Sequence, residues 1–213
     1  MDKTRSGRRP RLRREDWARA ALASLAEGGL AAVVVETLAD RLGTTKGSFY
    51  WHFADREALI AAALELWERE HTIEVIDHLR EIPDPAERLR HLFELAFGGD
   101  VGGAISVALY ANAGNPLVAP VLERVSRRRV QFLTEVFTDL GFPRATARHR
   151  ALAAYTAYVG HFQLQRAAPT VSPSGPDERR YLRHLFALLG TPPRPRQGAR
   201  GKGREGTAQL DAV

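Results

Sequence analysis

Apolar side chains recur at every third or fourth position along most of this chain of 213 residues. That spacing is the period of an amphipathic α-helix. The first stripe begins at Trp17 and stops before Gly28-Gly29, a pair that suits a helix C-terminus. A short β-branched run at residues 30–35 has no partner run nearby, so we interpret it as a buried connector rather than a strand. The pattern predicts an all-α protein.

Glycine and proline divide the pattern into successive helices. We predict helices over residues 15–27, 36–42, 45–53, 55–79, 85–97, 104–113, 117–140, 144–167 and 177–189. Asp55 and Asp177 are expected to cap the helices that they begin. The glycine-rich segment 98–103 is interpreted as a flexible joint. A phosphate-binding loop is disfavoured there, because no strand precedes the segment and no Lys-Ser/Thr pair follows it.

Residues 38–53 have the spacing of a helix-turn-helix. The small side chain of Ala39 lets another helix cross closely, and Gly43 suits a turn with positive φ. Phe49 begins the buried face of the next helix, which Thr45 is predicted to cap through its hydroxyl. A DNA-binding regulator is therefore the leading hypothesis.

The face of this helix that points away from Phe49 carries short hydroxyls, a glycine, hydrogen-bond donors and two aromatic rings. Short side chains let a helix N-terminus approach base edges, while Lys, Tyr and His can donate to phosphates. An ordinary helix corner would also expose polar residues, but it explains the aromatic pair poorly. The predicted DNA contacts are Thr44, Thr45, Lys46, Gly47, Ser48, Tyr50, Trp51 and His52.

The order Leu-Ala-x-x-Leu-Gly-Thr-Thr-Lys-Gly-Ser-Phe-Tyr-Trp-His-Phe, followed by Asp-Arg-Glu-Ala-Leu, resembles the tetracycline-repressor (TetR) family of bacterial regulators. The resemblance covers residues 17–59. It implies an N-terminal three-helix DNA-binding domain, a long linking helix, and a C-terminal helical domain that binds ligand and dimerises. It also implies the following roles: base or nearby backbone contacts at Thr45, Lys46 and Ser48, and phosphate contacts at Tyr50, His52 and Arg56.

Three positions depart from the family pattern. Val34 stands where Thr or Ser commonly caps the second helix, so that cap and its phosphate contact are expected to be lost. Thr44 replaces a more usual apolar residue at the turn. Arg56 also replaces the usual lysine.

The positive charge lies at the two ends of the chain. Residues 1–14 carry seven basic side chains against Asp2, a net +6, and residues 191–213 carry five against two acids, a net +3. Both segments are expected to be disordered because they contain too few apolar residues to form a core. The N-terminal arm, including Arg13 and Arg14, is predicted to lie along DNA phosphates or in a minor groove. An architectural protein that binds DNA without sequence preference is the alternative.

No cysteine is present, which excludes disulfides and thiol chemistry, and no apolar run is long enough to span a membrane. A cytoplasmic protein is expected. No metalloprotease motif or nucleophile elbow occurs, so neither an enzyme nor a cofactor is predicted. A weak helical metal site at His71 and His78 is explained more simply as solvated surface. The run Arg127-Arg128-Arg129 is likewise interpreted as a solvent-exposed charged face.

Residues 15–54 are predicted to form the DNA-binding domain and residues 55–190 the regulatory domain. Two C-terminal helices, one with a small-residue face and one with a leucine face, could form a four-helix bundle with a second copy. The predicted dimer residues are Ala153, Ala157, Gly160, Leu182, Leu185, Phe186 and Leu189. A two-fold dimer would read a roughly palindromic operator in double-stranded DNA.

Ligand control requires a second site, which the family resemblance places in the C-terminal domain. Aromatic residues there are candidates to line a cavity for a mostly apolar small-molecule effector, although core packing is the commoner role of each one. The candidates are Trp67, Phe93, Phe97, Tyr110, Phe132, Tyr155, Tyr158, His161 and Phe162.

Overall fold

The computed structural model describes residues 12–98 and 100–190, apart from the side chains of 100–102. Within these ranges the regular structure is helical. The expected disorder of residues 1–11 and 191–213 falls outside the described part. The helices are α1 Arg14–Gly28, α2 Val35–Arg41, α3 Lys46–Tyr50, α4 Arg56–Glu68, α5 Glu74–Arg80, α6 Pro85–Phe97, α7 Asp100–Tyr110, α8 Ala119–Asp139, α9 Arg144–Ala167 and α10 Gly175–Gly190.

Helices α1 to α3 form an N-terminal head whose turns follow the glycines. Gly29 and Gly43 have φ of 68° and 63°, a region that costs glycine little. Val34 occupies the N-cap of α2 and makes no side-chain cap, as expected. Thr45 is at the N-cap of α3, but its hydroxyl makes no capping hydrogen bond, so the predicted cap of α3 is wrong.

A linker continues from the head as α4, a π-helical turn at Arg69–Ile73, and α5. The carboxylate of Asp55 accepts from the Ala58 amide at 2.8 Å, which confirms the predicted cap. The helix predicted over 55–79 is not continuous, because the π turn separates α4 from α5. A π turn inserts one extra residue and changes which side chains face each neighbour.

Two apolar cores lie along this linker. The first joins the head to the regulatory helices, since Trp17 of α1, Leu59 of α4, Leu109 of α7 and Val125 of α8 belong to one buried cluster. The second packs α5, α6, α8, α9 and the end of α10 together. The head has no separate core, so apolar packing continues across the domain boundary predicted at residue 54.

Two predictions for the C-terminal domain need correction. Residues 100–103 belong to α7 rather than to a flexible joint, because α7 packs on α1 and α9 and this packing outweighs the poor helix propensity of glycine. Asp177 lies in the first turn of α10, which begins at Gly175 with φ of 55°. The predicted range of α9, 144–167, is confirmed.

Gly103 marks the close approach of α7 to α9. A β-carbon at this position would come within 2.2 Å of the Phe162 ring. Overpacking of this kind costs about 1–3 kcal/mol, against about 1 kcal/mol gained by replacing a helical glycine with alanine. We expect Gly103→Ala to lower the free energy of unfolding by about 1 kcal/mol in denaturant titrations.

The matched background is Phe162→Leu, which removes the ring that the new methyl would meet. In that background Gly103→Ala should be neutral or stabilising. An equal loss of stability in both backgrounds would contradict the close approach.

Candidate functional site

Helix α3 is held on the head by aromatic packing. Phe49 is buried, with its ring 5.5 Å from Trp17 and 5.6 Å from Phe53. The amide of Thr44 donates to the Ala39 carbonyl at 2.9 Å, which closes the turn between α2 and α3. Because Phe49 anchors one side of α3, the opposite side faces outward.

The outward side carries the residues predicted to contact DNA. Tyr50 is 58% exposed and Trp51 is 83% exposed, although large aromatic rings are usually buried. Exposed as well are Thr45, Lys46 and Gly47, and half-exposed are Thr44, Ser48 and His52. The structure thus brings all eight predicted residues to one end of the head.

An ion pair joins α3 to α2 on this surface. Lys46 Nζ lies 2.5 Å from Glu36 Oε1, with both side chains more than half exposed. The hydrogen bond to Glu36 raises the pKa of Lys46 and lowers the pKa of Glu36. Lys46 is therefore charged at neutral pH, and its ammonium group can exchange the carboxylate for a phosphate.

Gly47 has no packing reason within the described protein to be glycine. A β-carbon there would meet the Thr45 hydroxyl at 3.6 Å, an ordinary contact distance. Its φ is outside the left-handed region, so the backbone does not require glycine either. A residue without a side chain on an exposed helix face lets another molecule approach the backbone closely.

Three predicted DNA contacts, Arg13, Arg14 and Arg56, lie at the ends of head and linker helices. Arg13 is the N-cap of α1 and Arg14 is its first residue, so neither belongs to the arm in which the sequence placed them. The Arg14 guanidinium lies over the Phe53 ring, 4.9 Å from its centroid. Arg56 donates from Nε to the Val33 carbonyl at 2.7 Å and from a second nitrogen to the Leu30 carbonyl. Arg56 thus ties α4 to the connector before α2.

A cavity of about 380 Å³ opens between α5, α6, α8, α9 and the π turn. Five of the nine candidate residues line it: Phe93, Phe97, Phe132, Tyr155 and Tyr158. Sequence reasoning missed its other lining residues, which are His71, Thr72, Val75, Ile76, Leu92, Leu95, Ala96, Arg129, Leu133 and Ala154. The five that were found are aromatic, whereas aliphatic and polar wall residues have no such marker in the sequence.

The four remaining candidates lie elsewhere. Trp67 is buried in the first core, and Phe162 packs at the approach of α7 to α9. Tyr110 stands behind the wall, where its hydroxyl is 2.8 Å from that of Tyr155. His161 is buried with Nε2 3.2 Å from a carboxylate oxygen of Glu178. These placements correct the predicted lining.

The cavity is mainly apolar with polar groups on two sides. Burial raises the pKa of Tyr155 to about 12, so its hydroxyl stays protonated. Burial and the nearby charge of Arg129 lower the pKa of His71 below its usual value. Arg129 is half-buried and carries the positive charge on the wall.

The π turn connects this cavity to the head. Arg19 of α1 donates to both oxygens of Glu70, at 2.6 and 3.0 Å, and Arg69 contacts Glu15 at 3.1 Å. The next two residues, His71 and Thr72, line the cavity. One turn of the linker thus touches the head on one side and the cavity on the other.

The predicted dimer residues fall into two groups. On α9, Ala153 and Gly160 are exposed and Ala157 is half-buried. On α10, Leu189 is buried in the second core, Leu185 and Phe186 pack against it, and Leu182 is half-buried. Burial thus removes Leu189 from the predicted interface, while Leu185 and Phe186 are partly buried and remain predicted interface residues.

Two absences concern the described residues alone. No three His, Asp or Glu side chains there lie close enough to hold a metal ion. Among the same residues, no helix has the length and apolarity needed to cross a membrane.

Known proteins resemble the chain both in sequence and in fold. Residues 18–63 match the family model described as bacterial regulatory proteins, tetR family. Tetracycline repressor protein class C from Escherichia coli is 28% identical over 167 residues, covering 74% of this chain and 68% of that protein.

Solved structures share the fold at lower identity. A TetR transcriptional regulator from Legionella pneumophila has a TM-score of 0.71 at 14% identity, over 84% of this chain and 98% of that one. A regulator from Saccharomonospora viridis, solved in complex with choline, has a TM-score of 0.66 at 19% identity, over 82% and 95%.

A helix-turn-helix head fused through a linker to a helical domain with a cavity defines a DNA-binding transcriptional regulator. The chain is similar to the TetR family of bacterial regulatory proteins in residues 18–63 and in its fold, and members of that family are ligand-responsive DNA-binding repressors.

The bonds of Arg56 to two backbone carbonyls predict a structural role besides any contact with phosphate. Arg56→Ala leaves those carbonyls without their charged donor, at a cost of about 1–2 kcal/mol. We expect a melting temperature lower by about 2–8 °C without DNA. Lys46→Ala is the control, since an exposed ion pair adds little stability. Equal melting temperatures for Arg56→Ala and the unmodified protein would show that Arg56 has no structural role.

Proposed function

We propose that the protein represses transcription as a homodimer that places one α3 in each half of a palindromic operator, and that a small molecule in the cavity releases it. The observation that carries the DNA-binding part is the exposed face of α3, with its ammonium group, hydroxyls, glycine and two uncovered aromatic rings. Non-enzymatic function and a location in the cytoplasm belong to the same proposal.

On DNA, the short side chains at the start of α3 would read base edges, while the larger donors bind phosphates. Thr45, Gly47 and Ser48 leave room for close approach. Lys46 and Tyr50 reach further and would fix the register of the helix. Most of the head is not basic, because residues 15–53 hold three basic and five acidic side chains, a net −2. General attraction to DNA would therefore come from residues 1–14 and from pairing two heads.

For the dimer, α9 and α10 carry leucines that the described chain leaves partly exposed. Leu152 and Leu164 on α9, and Leu188 on α10, are 42%, 40% and 60% exposed. Gly160 lies between the two α9 leucines, and a β-carbon there would meet no described atom within 4 Å. Two copies of these helices could meet as a four-helix bundle.

For ligand control, the π turn supplies the connection between the cavity and the head. A ligand that moves His71 or Thr72 also moves Glu70, which is bonded to Arg19 of the head. Such a ligand shifts the equilibrium only as far as its affinities for the two arrangements differ. The DNA-bound spacing of two heads would be disfavoured when the cavity is filled.

The contacts proposed for α3 lead to a direct test on DNA from upstream of the protein's own coding sequence. Lys46→Ala and Tyr50→Ala should each weaken binding about tenfold or more, because each removes a phosphate contact. Fluorescence anisotropy with labelled operator DNA measures this. Arg127→Ala is the matched control, since it removes one positive charge from an exposed pair with Glu123 in the regulatory domain.

Unchanged affinity for both α3 variants would contradict the proposed recognition helix. The architectural alternative is distinguished by removing residues 1–11. That deletion should flatten the salt dependence while preference for operator over unrelated DNA persists. If no preference is detectable and the deletion abolishes binding, the architectural role is correct.

If the exposed leucines of α9 and α10 form the proposed dimer interface, charged side chains placed there should prevent dimer formation. Leu188→Glu combined with Leu152→Glu should give a monomer at micromolar concentration in analytical ultracentrifugation, because a carboxylate without a partner is costly to bury. Val171→Glu is the control, since Val171 is 70% exposed but lies in the turn between the two helices. A persistent dimer in the double variant would contradict this interface.

A further inference from the structure

We propose that the effector is an amphipathic carboxylate: an apolar acid whose anion pairs with Arg129 and whose body lies against the aromatic wall of the cavity. This inference rests on the proposed role of the cavity as the effector site. It adds the chemical class of the ligand and the residue that selects it.

Arg129 differs from its two neighbours in the Arg127-Arg128-Arg129 run. Arg127 pairs with Glu123, and Arg128 lies 3.7 Å from Glu68. Among the described residues, no carboxylate lies within ion-pair distance of Arg129. Its guanidinium is half-buried on the cavity wall, whereas the other two arginines are exposed.

Neutral groups hold Arg129 in place. Its Nε donates to the Thr72 hydroxyl at 3.0 Å and Nη2 donates to the His71 carbonyl at 2.8 Å. Its guanidinium carbon lies 5.3 Å from the Trp67 ring centroid and 5.6 Å from that of Tyr158. These contacts orient the charge without neutralising it. A cation that is partly removed from water attracts an anion more strongly than a fully exposed cation does, because the local dielectric constant is lower.

The rest of the wall supplies no negative charge. The described lining residues include neither Asp nor Glu. Tyr155 stays a neutral phenol, since burial raises its pKa to about 12. Glu70, the carboxylate that acts on His71, is bonded to Arg19 on the side of the head. The cavity therefore has a net positive charge, which disfavours a cationic ligand.

The remaining surface favours an apolar body over a highly charged one. Leu92, Phe93, Phe97, Phe132 and Leu133 form most of the wall. The volume of about 380 Å³ is within the range of small-molecule sites. A single guanidinium matches one carboxylate, whereas a phosphate with two charges would need more donors.

The test compares three probes of similar length on the full chain: octanoate, octanamide and octylamine. Isothermal titration calorimetry at neutral pH should give octanoate an affinity at least about tenfold above that of octanamide, as expected for a charge-assisted hydrogen bond. Octylamine should bind more weakly than octanamide. Equal affinities for octanoate and octanamide, stronger binding of octylamine, or no binding of octanoate at millimolar concentration would each overturn the proposal.

Two variants locate the selectivity. In Arg129→Gln, octanoate binding should fall to the level of octanamide, while octanamide binding stays unchanged and shows that the cavity is intact. Arg127→Gln is the control of equal charge loss and should keep the preference for octanoate. Preference that survives Arg129→Gln overturns the assignment. Should Arg129→Gln fail to fold, the three probes on the unmodified protein decide the ligand class.

Measuring the release of operator DNA distinguishes a failure of this proposal from a failure of the proposed function. If octanoate and octanamide bind equally and both release operator DNA, the effector cavity stands and the anion proposal fails. If octanoate binds through Arg129 without weakening operator binding, the anion site stands and the proposed effector role fails.

Discussion

The pair of hydrogen bonds between Arg19 and Glu70 fixes the head against the π turn of the linker. Glu70 belongs to the π turn, whose next two residues line the cavity and bind Arg129. The extra residue of a π turn spreads successive side chains over a wider arc, so that this turn can face the head and the cavity together. A uniform α-helix over the same residues would change which neighbour each side chain meets.

The Arg19–Glu70 contact orients the head relative to the linker but adds little to the free energy of unfolding. Ion pairs in which one side chain stays largely exposed, as Arg19 does, contribute only about 0–1 kcal/mol each. The core that joins α1 and α4 to α7 and α8 contributes far more, since each fully buried aliphatic or aromatic side chain adds about 1.5–3 kcal/mol. Because that core is continuous, the head cannot swing freely. In the proposed release, a ligand would have to displace packed helices against one another, and close-packed interiors transmit such displacements.

The sequence allowed correct prediction of features that depend on local chemistry. The range of α9 and the Gly43 turn follow from helix periodicity and from backbone freedom, and Phe49 follows from one buried face. Errors occurred where distant packing decides. Residues 100–103 are helical because α1 and α9 pack on α7, and Leu189 is buried because α10 folds back on its own chain.

The position of Arg129 on the cavity wall also depends on distant packing and could not be predicted from the sequence. In sequence it is one of three consecutive arginines, a pattern typical of a solvated face. Its partners, His71 and Thr72, are 58 and 57 residues away and are presented by a π turn that no periodicity marks. The carboxylate near Arg128 belongs to α4, so that contact exists only once α4 lies beside α8. Charge on a surface and charge on a cavity wall are therefore indistinguishable until the tertiary contacts are known.

Residues 1–14 and residues 15–53 carry opposite net charges. This difference bears on which part of the chain supplies affinity for DNA and which part supplies sequence selectivity. Lys46 lies in an ion pair with Glu36, so binding a phosphate must first displace a carboxylate. That exchange reduces the net gain from Lys46 on any DNA sequence, because one anion replaces another. The gain from α3 then depends on whether bases and phosphates fit its exposed face. In the proposed DNA complex, residues 15–53 of net −2 would supply the selective contact and residues 1–14 of net +6 the general attraction, and only the general attraction would fall steeply with salt.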